Sequence, residues 1–185
     1  MGKLANPLVT NGQKMKQIDL STPKGAIFSD DRKYRYALWR VWNPIKPILG
    51  CVGLNPSDAN EFKNDPTITR GIVRADRTGF GGFIMTNAYG LVATDPNALL
   101  NSSDAIGELN DLYIKQMVEL TKCQLCGWGS FKPMKYRASE VYSMLINPVC
   151  LGVNADGQPK HPLYVSYDTP MVKYSIEDVI EGELE

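Results

Sequence analysis

The chain has 185 residues and no net charge, with 20 Lys plus Arg against 20 Asp plus Glu. Hydrophobic residues make up 43% and charged residues 22%, which excludes a disordered chain, a collagen-like chain and a coiled coil. One domain of this size buries roughly 70% of its unfolded surface, enough for a core without disulfide or metal staples. Zero net charge gives no bulk attraction to nucleic acid or membrane, so a basic groove would need an acidic face to balance it. No window approaches the ~18 apolar residues of a membrane span, and the start of the chain has no signal-peptide stretch. The expected setting is cytoplasmic, with reduced thiols.

Residues 1–24 carry little periodicity and are expected to form a loose N-terminal arm, with 25–185 as a single α/β domain. YRYALWRVW, Tyr34 to Trp42, alternates large residues and suits one half of an edge hairpin. PILGCVGLN is apolar without alternation, as in a strand buried on both faces, and stops at Asn55-Pro56-Ser57. A helix is predicted from Asp65 as cap and Pro66 as first residue, with Ile68, Ile72 and Val73 as its apolar stripe and Gly79 as its end. GGFIMTNAY is a second buried strand. Ser103 or Asp104 is expected to start a helix reaching about Lys122. CQLCGWG is a third strand, Tyr136 to Ile146 a third helix and VCLGVN a fourth strand, with KHPLYVS extended after it. This alternation predicts a three-layer α/β sandwich around a central, mainly parallel four-stranded sheet, plus an N-terminal hairpin.

In such sheets ligands bind beyond the carboxyl ends of the strands. GLNPS, TNAYG, GWG and KHPL follow the four central strands, so polar residues gather at one edge. Asn55 can hold a water or a base edge, or simply start the Asn-Pro turn. Asn87 inside FIMTNAY is out of place in a strand unless its amide is satisfied. His161 is the only histidine, able to donate as a neutral imidazole or act as a general acid. Asp58, Asp65 and Asp95 fall in loops at the cleft mouth, Asp65 also serving as a helix cap. Arg70, Arg74 and Arg77 share one helix and suit a solvated face or a modest phosphate-facing one. Cys51, Cys123, Cys126 and Cys150 all fall in apolar runs, so the one CxxC is expected to be core rather than metal. No cofactor and no metal are expected. No triad, nucleophile elbow, phosphate loop or dinucleotide fingerprint occurs.

The segments YRYALWR, GLNPSDAN, NDPTITR, TNAYGLVATDP, GWG and CLGVNADGQPKHPLYVS resemble the domain of unknown function 1643 family, whose members occur in bacteria and their phages. The resemblance spans roughly residues 28 to 167 and implies no activity. The order of motifs also resembles, more distantly, the uracil-DNA glycosylase superfamily. That likeness implies that Asn55 positions a water, Asn87 reads a flipped base and His161 donates to the departing base. Asp58 and Asp65 would assist catalysis. Ser57, Phe62, Tyr89 and Trp128 would line the substrate, with Phe62 or Tyr89 stacking on it. Leu163 stands where that superfamily has serine, and Ser57 where one branch has glycine. The implied partner is nucleic acid or a nucleotide, with no membrane role and no statement about oligomeric state. The competing classes are a catalytically silent protein of that fold and an unrelated small-molecule enzyme.

Overall fold

A computed structural model describes residues 9–10 and 13–176. A short antiparallel pair, β1 (Val9–Thr10) and β2 (Gln13–Lys14), precedes the main sheet. Then follow β3 (Lys24–Phe28), β4 (Arg35–Val41), β5 (Ile48–Gly53), α1 (Pro66–Arg77), β6 (Gly82–Asn87) and α2 (Asn110–Leu120). The remainder is β7 (Cys123–Cys126), α3 (Met134–Ser143), β8 (Pro148–Cys150) and β9 (Val172–Lys173). The sheet has seven strands in the order β3-β4-β6-β5-β7-β8-β9. Strands β6, β5, β7 and β8 run parallel, in register Cys51↔Met85 and Cys51↔Leu125 at the centre. The β3-β4 hairpin adds antiparallel to β6, and β9 adds antiparallel to β8. The protein is thus a mixed α/β fold. The four parallel strands are the middle of a larger sheet, because β9 closes an edge whose two residues carried no strand signal.

Strand β5 is buried along its whole length, as its unbroken apolar run requires. Its residues alternate between two cores. Leu49 and Cys51 join Ile68 and Ala75 of α1, while Ile48 and Val52 join Tyr113, Ile114 and Met117 of α2 and Val141 of α3. Helices therefore cover both faces of the sheet. Helix α1 comes close because Gly71 has no Cβ, which would lie 2.4 Å from the Phe83 ring. The CxxC splits between the two cores, Cys123 on the α1 side and Cys126 on the other, as strand alternation demands. All four cysteines are buried. Burial pushes the Cys51 thiol up to about 12 and Cys126 well above its ordinary value, which keeps both protonated and unreactive.

Several local expectations are corrected. In α1 the cap and first residue are as predicted, but Ile72 and Val73 are only half-buried and Arg74 takes the inward position. Helix α2 starts at Asn110, not at Ser103 or Asp104. There the Asp104 carboxylate accepts from Ile106 N and Gly107 N, and Gly107 at φ 86° ends that turn before the helix begins. Helix α3 runs two residues earlier than predicted and stops three residues sooner. The fourth strand ends at Cys150, before Gly152 at φ 99°. KHPLYVS is not extended throughout, since Pro162–Tyr164 forms a 3-10 turn. Within the expected N-terminal arm, Met15 and Ile18 are buried beside Tyr113. Ile18 N donates to Gln116 Oε1 at 3.0 Å, and Tyr113 Oη to Lys16 O at 3.0 Å. The acidic end of the chain lies outside the described residues. No described helix is long and apolar enough to cross a membrane.

Candidate functional site

Strand β5 leads into α1 on one face of the sheet, while β6 and β7 lead into α2 and α3 on the other. Loops that part in this way leave a crevice at the carboxyl edge. A cavity of about 640 Å³ occupies it. Asn55, Ser57, Asp65, Asn87, Trp128 and His161 all line this cavity. Four sequence-expected residues do not, one of them Asp95, whose carboxylate accepts from Asn97 N at 2.9 Å as the cap of a 3-10 turn. Asp58 is exposed on the loop after Ser57. Phe62 is 80% exposed, with Lys24 Nζ 5.8 Å above its ring, and so cannot stack on a ligand in the cleft. Tyr89 is buried and donates its hydroxyl to Pro133 O at 3.3 Å, serving the core beneath α3.

Asn55 spends both amide hydrogens on main-chain carbonyls, at 3.0 Å to Pro56 and 2.7 Å to Ala93. What it can offer a ligand is therefore the acceptor Oδ1. Asn87 is oriented the opposite way. Arg35 Nη2 donates to Asn87 Oδ1 at 3.3 Å, and a guanidinium can only donate, so the amide oxygen must face it. Asn87 Nδ2 is buried without a hydrogen-bond partner among the described residues. A Cβ on Gly53 would sit 2.8 Å from that nitrogen, so the glycine keeps the space beside it clear.

His161 Nδ1 accepts from Leu163 N at 3.2 Å, which leaves the ring hydrogen on Nε2 in the neutral form. Burial lowers the His161 pKa below its ordinary value, against the pull of Asp65, so the ring is neutral near pH 7. Among the described residues, Asp65 is the one carboxylate lining the cavity. Its Oδ1 caps α1 by accepting from Ile68 N at 2.8 Å. Trp128 is 1% exposed, with Nε1 on Gln158 Oε1 at 2.7 Å, and forms a fixed wall.

The structure adds residues that sequence reasoning missed. Arg35 lines the cavity from β4, 2% exposed, with Nη1 on Ala59 O at 2.8 Å and Nε unpartnered among the described residues. Burial pulls its pKa down to about 10. An arginine inside an otherwise buried strand was the available signal. Lys160 and Tyr164 flank His161 at the cavity, and Tyr164 is 84% exposed. Arg70 and Arg74 are neither solvated nor phosphate-facing. Arg74 donates to the carbonyls of Val165, Ser166, Tyr167 and Thr169, and Arg70 to those of Pro162 and Val165. Both guanidinium groups also lie over the Tyr167 ring. Two α1 side chains thereby strap the segment that carries His161 onto the body of the protein.

Fold and cleft together define a mixed α/β protein with one polar pocket at the carboxyl edge of its parallel strands. Residues 35–163 match the family described as protein of unknown function (DUF1643), and the chain belongs to that family. No curated protein and no solved structure matches the chain.

Proposed function

We propose that the protein binds a nucleobase in this cleft and hydrolyses its N-glycosidic bond, in nucleic acid or in a nucleotide, in the manner of uracil-DNA glycosylases. The observation that supports this most is the meeting of Asn55, Asn87, Asp65 and His161 around one cavity, from four separate segments. Each residue then has a chemical task. Asn87 Nδ2 holds an acceptor on the base. Asn55 Oδ1 orients a water toward the sugar C1′. The water oxygen bonds to C1′ while the C1′–N bond breaks, and its electron pair leaves with the base. Asp65 accepts the proton that the water gives up. Neutral His161 donates through Nε2–H to the base as negative charge builds there. A base in a duplex would first have to be flipped out of the stack.

A binding-only protein of the same fold is the second reading. It is favoured by Asn55 and Asp65, both of which already have structural tasks in the turn and the helix cap. Incubation with DNA carrying varied modified bases, and with free nucleotides, tests the choice. Release of a base, scored as abasic sites or free base and lost in His161→Ala, is expected. Retention of every base by protein that nevertheless binds nucleosides would favour the second reading.

A further inference from the structure

We propose that the protein carries a second binding site, for a small aliphatic amine in its ammonium form, in a pocket on the α2 face of β4. Tyr36 Oη and the carboxylates of Asp30 and Glu108 receive the ammonium group. The two cavities share no lining residue, so this site stands apart from the nucleobase reading above.

Alternation along β4 turns Arg35 toward the cleft and Tyr36 toward the opposite face. There a cavity of about 220 Å³ opens between β4, the end of β3, the start of α2 and the segment at Met15. Ligand pockets usually measure ~300–1,000 Å³, so this one suits a ligand of few heavy atoms. Met15, Ile27 and Leu109 give it apolar walls. Tyr36 is 4% exposed, and its ring lies parallel to those of Tyr34 and Tyr113, with centroids 6.1 and 5.4 Å away. The stack fixes the ring. Its hydroxyl makes no hydrogen bond among the described residues and keeps access to the cavity. Buried hydroxyls ordinarily have a partner, as Tyr113 has in Lys16 O, so Tyr36 Oη calls for one from outside. Charge selects its kind. Among the described residues, Asp30 and Glu108 line the cavity against one cation, the exposed Lys16. Arg32, next to the pocket, is engaged by Glu61 and the Phe28 ring. Burial, together with Tyr34, Glu108, Asp104 and Asp31, pushes the Tyr36 pKa up to about 12, so its oxygen stays protonated with lone pairs to offer. An ammonium donates to that oxygen, is neutralised by the carboxylates and lays its alkyl chain on the apolar walls. An anion would meet two carboxylates, and a neutral alcohol would leave them unanswered.

The test is an NMR titration of the full chain with three probes of one length, n-butylamine, n-butanol and butyrate. Butylamine should move the amide signals of residues 27–30 and 108–113, and should bind about tenfold or more tightly than butanol, the scale of one charge-assisted hydrogen bond. Because Met15 and Lys16 wall the cavity, bound amine should also slow amide exchange at residues 15–18. Tyr36→Phe keeps the ring and loses only the hydroxyl, so it should weaken butylamine about tenfold and leave butanol unchanged. Asp30→Asn should weaken butylamine as well. If Tyr36→Phe fails to fold, Asp30→Asn and the wild-type titrations decide. Equal affinity for amine and alcohol, a preference for butyrate, signal changes elsewhere only, or no binding by butylamine overturns the proposal. So does full butylamine affinity in a folded Tyr36→Phe.

Discussion

Two buried arginines flank the end of β6, and their surroundings differ in kind. Arg137 of α3 donates through Nε to Ala88 O at 3.0 Å, and through its other nitrogens to Asp111 and Glu140. Burial pulls its pKa down, but the two carboxylates outweigh that and hold it above the ordinary value. Arg35 of β4 donates to Asn87, one residue back on that strand end, and to a carbonyl, keeps one nitrogen without a partner among the described residues and is pulled down to about 10. Arg137 is a closed set, each of its three nitrogens answered from within the chain. The cleft is an open set, with Arg35, Asn87, Asn55 and His161 each keeping a group unanswered among the described residues. Stabilising structure satisfies its own polar atoms, while a binding site leaves some for its ligand.

Substitutions at the two sets should therefore fail differently. The largest effect is expected on the open side. His161→Ala should cost about 2–4 kcal/mol of transition-state stabilisation, as for one lost oxyanion donor, with the unfolding midpoint nearly unchanged. A large loss of stability with activity retained would erase the distinction. On the closed side, Arg137→Met should cost about 2–3 kcal/mol in urea unfolding, somewhat below a fully buried pair, because Asp111 and Glu140 keep partial access to water. Arg74→Leu should cost about 2 kcal/mol and speed amide exchange across residues 162–169, since four carbonyls lose one shared donor. Arg35→Met should cost less than about 1 kcal/mol, because relief of an unpaired buried charge offsets the lost bonds. A penalty as large as that of Arg137→Met would place Arg35 in the closed set.

The smallest effect is a pH dependence. The folded His161 pKa lies below the ordinary 6.5. Its contribution to stability is complete above that value and is lost as pH falls through the lowered folded one. Melting curves between about pH 7.5 and about pH 5 should drop slightly more for the wild type than for His161→Ala. An equal drop in both would remove His161 as the cause.

Much of this was legible in sequence where one local rule decided the outcome. The uninterrupted apolar runs around Cys51 and Ile84 became the parallel centre, and Asp65-Pro66 became the start of α1. Because parallel strands share one carboxyl end, Asn55, Asn87 and His161 could be placed together before any coordinates. What escaped was decided at long range. Phe62 and Tyr89 look alike as aromatic candidates, and only packing shows one on the surface and the other in the core. Arg74 reads as a solvated residue because its carbonyl partners lie 91 to 95 residues further on. Arg35 sits in a strand whose large apolar neighbours carry the strand signal, so its charge is masked within the pattern.

The arginine strap also bears on the order in which the molecule matures. Strands β5 to β8 and the helices between them are complete by Cys150, before the strapped segment has left the ribosome. Closing loops of 91 to 95 residues is entropically costly, and the side-chain grips of Arg74 are joined in return by burial of Pro162 and Val165. The segment from His161 to Thr169 is thus expected to dock after the parallel strands have paired. Limited proteolysis should nick it first, breaking the His161 side of the pocket while the sheet stays folded.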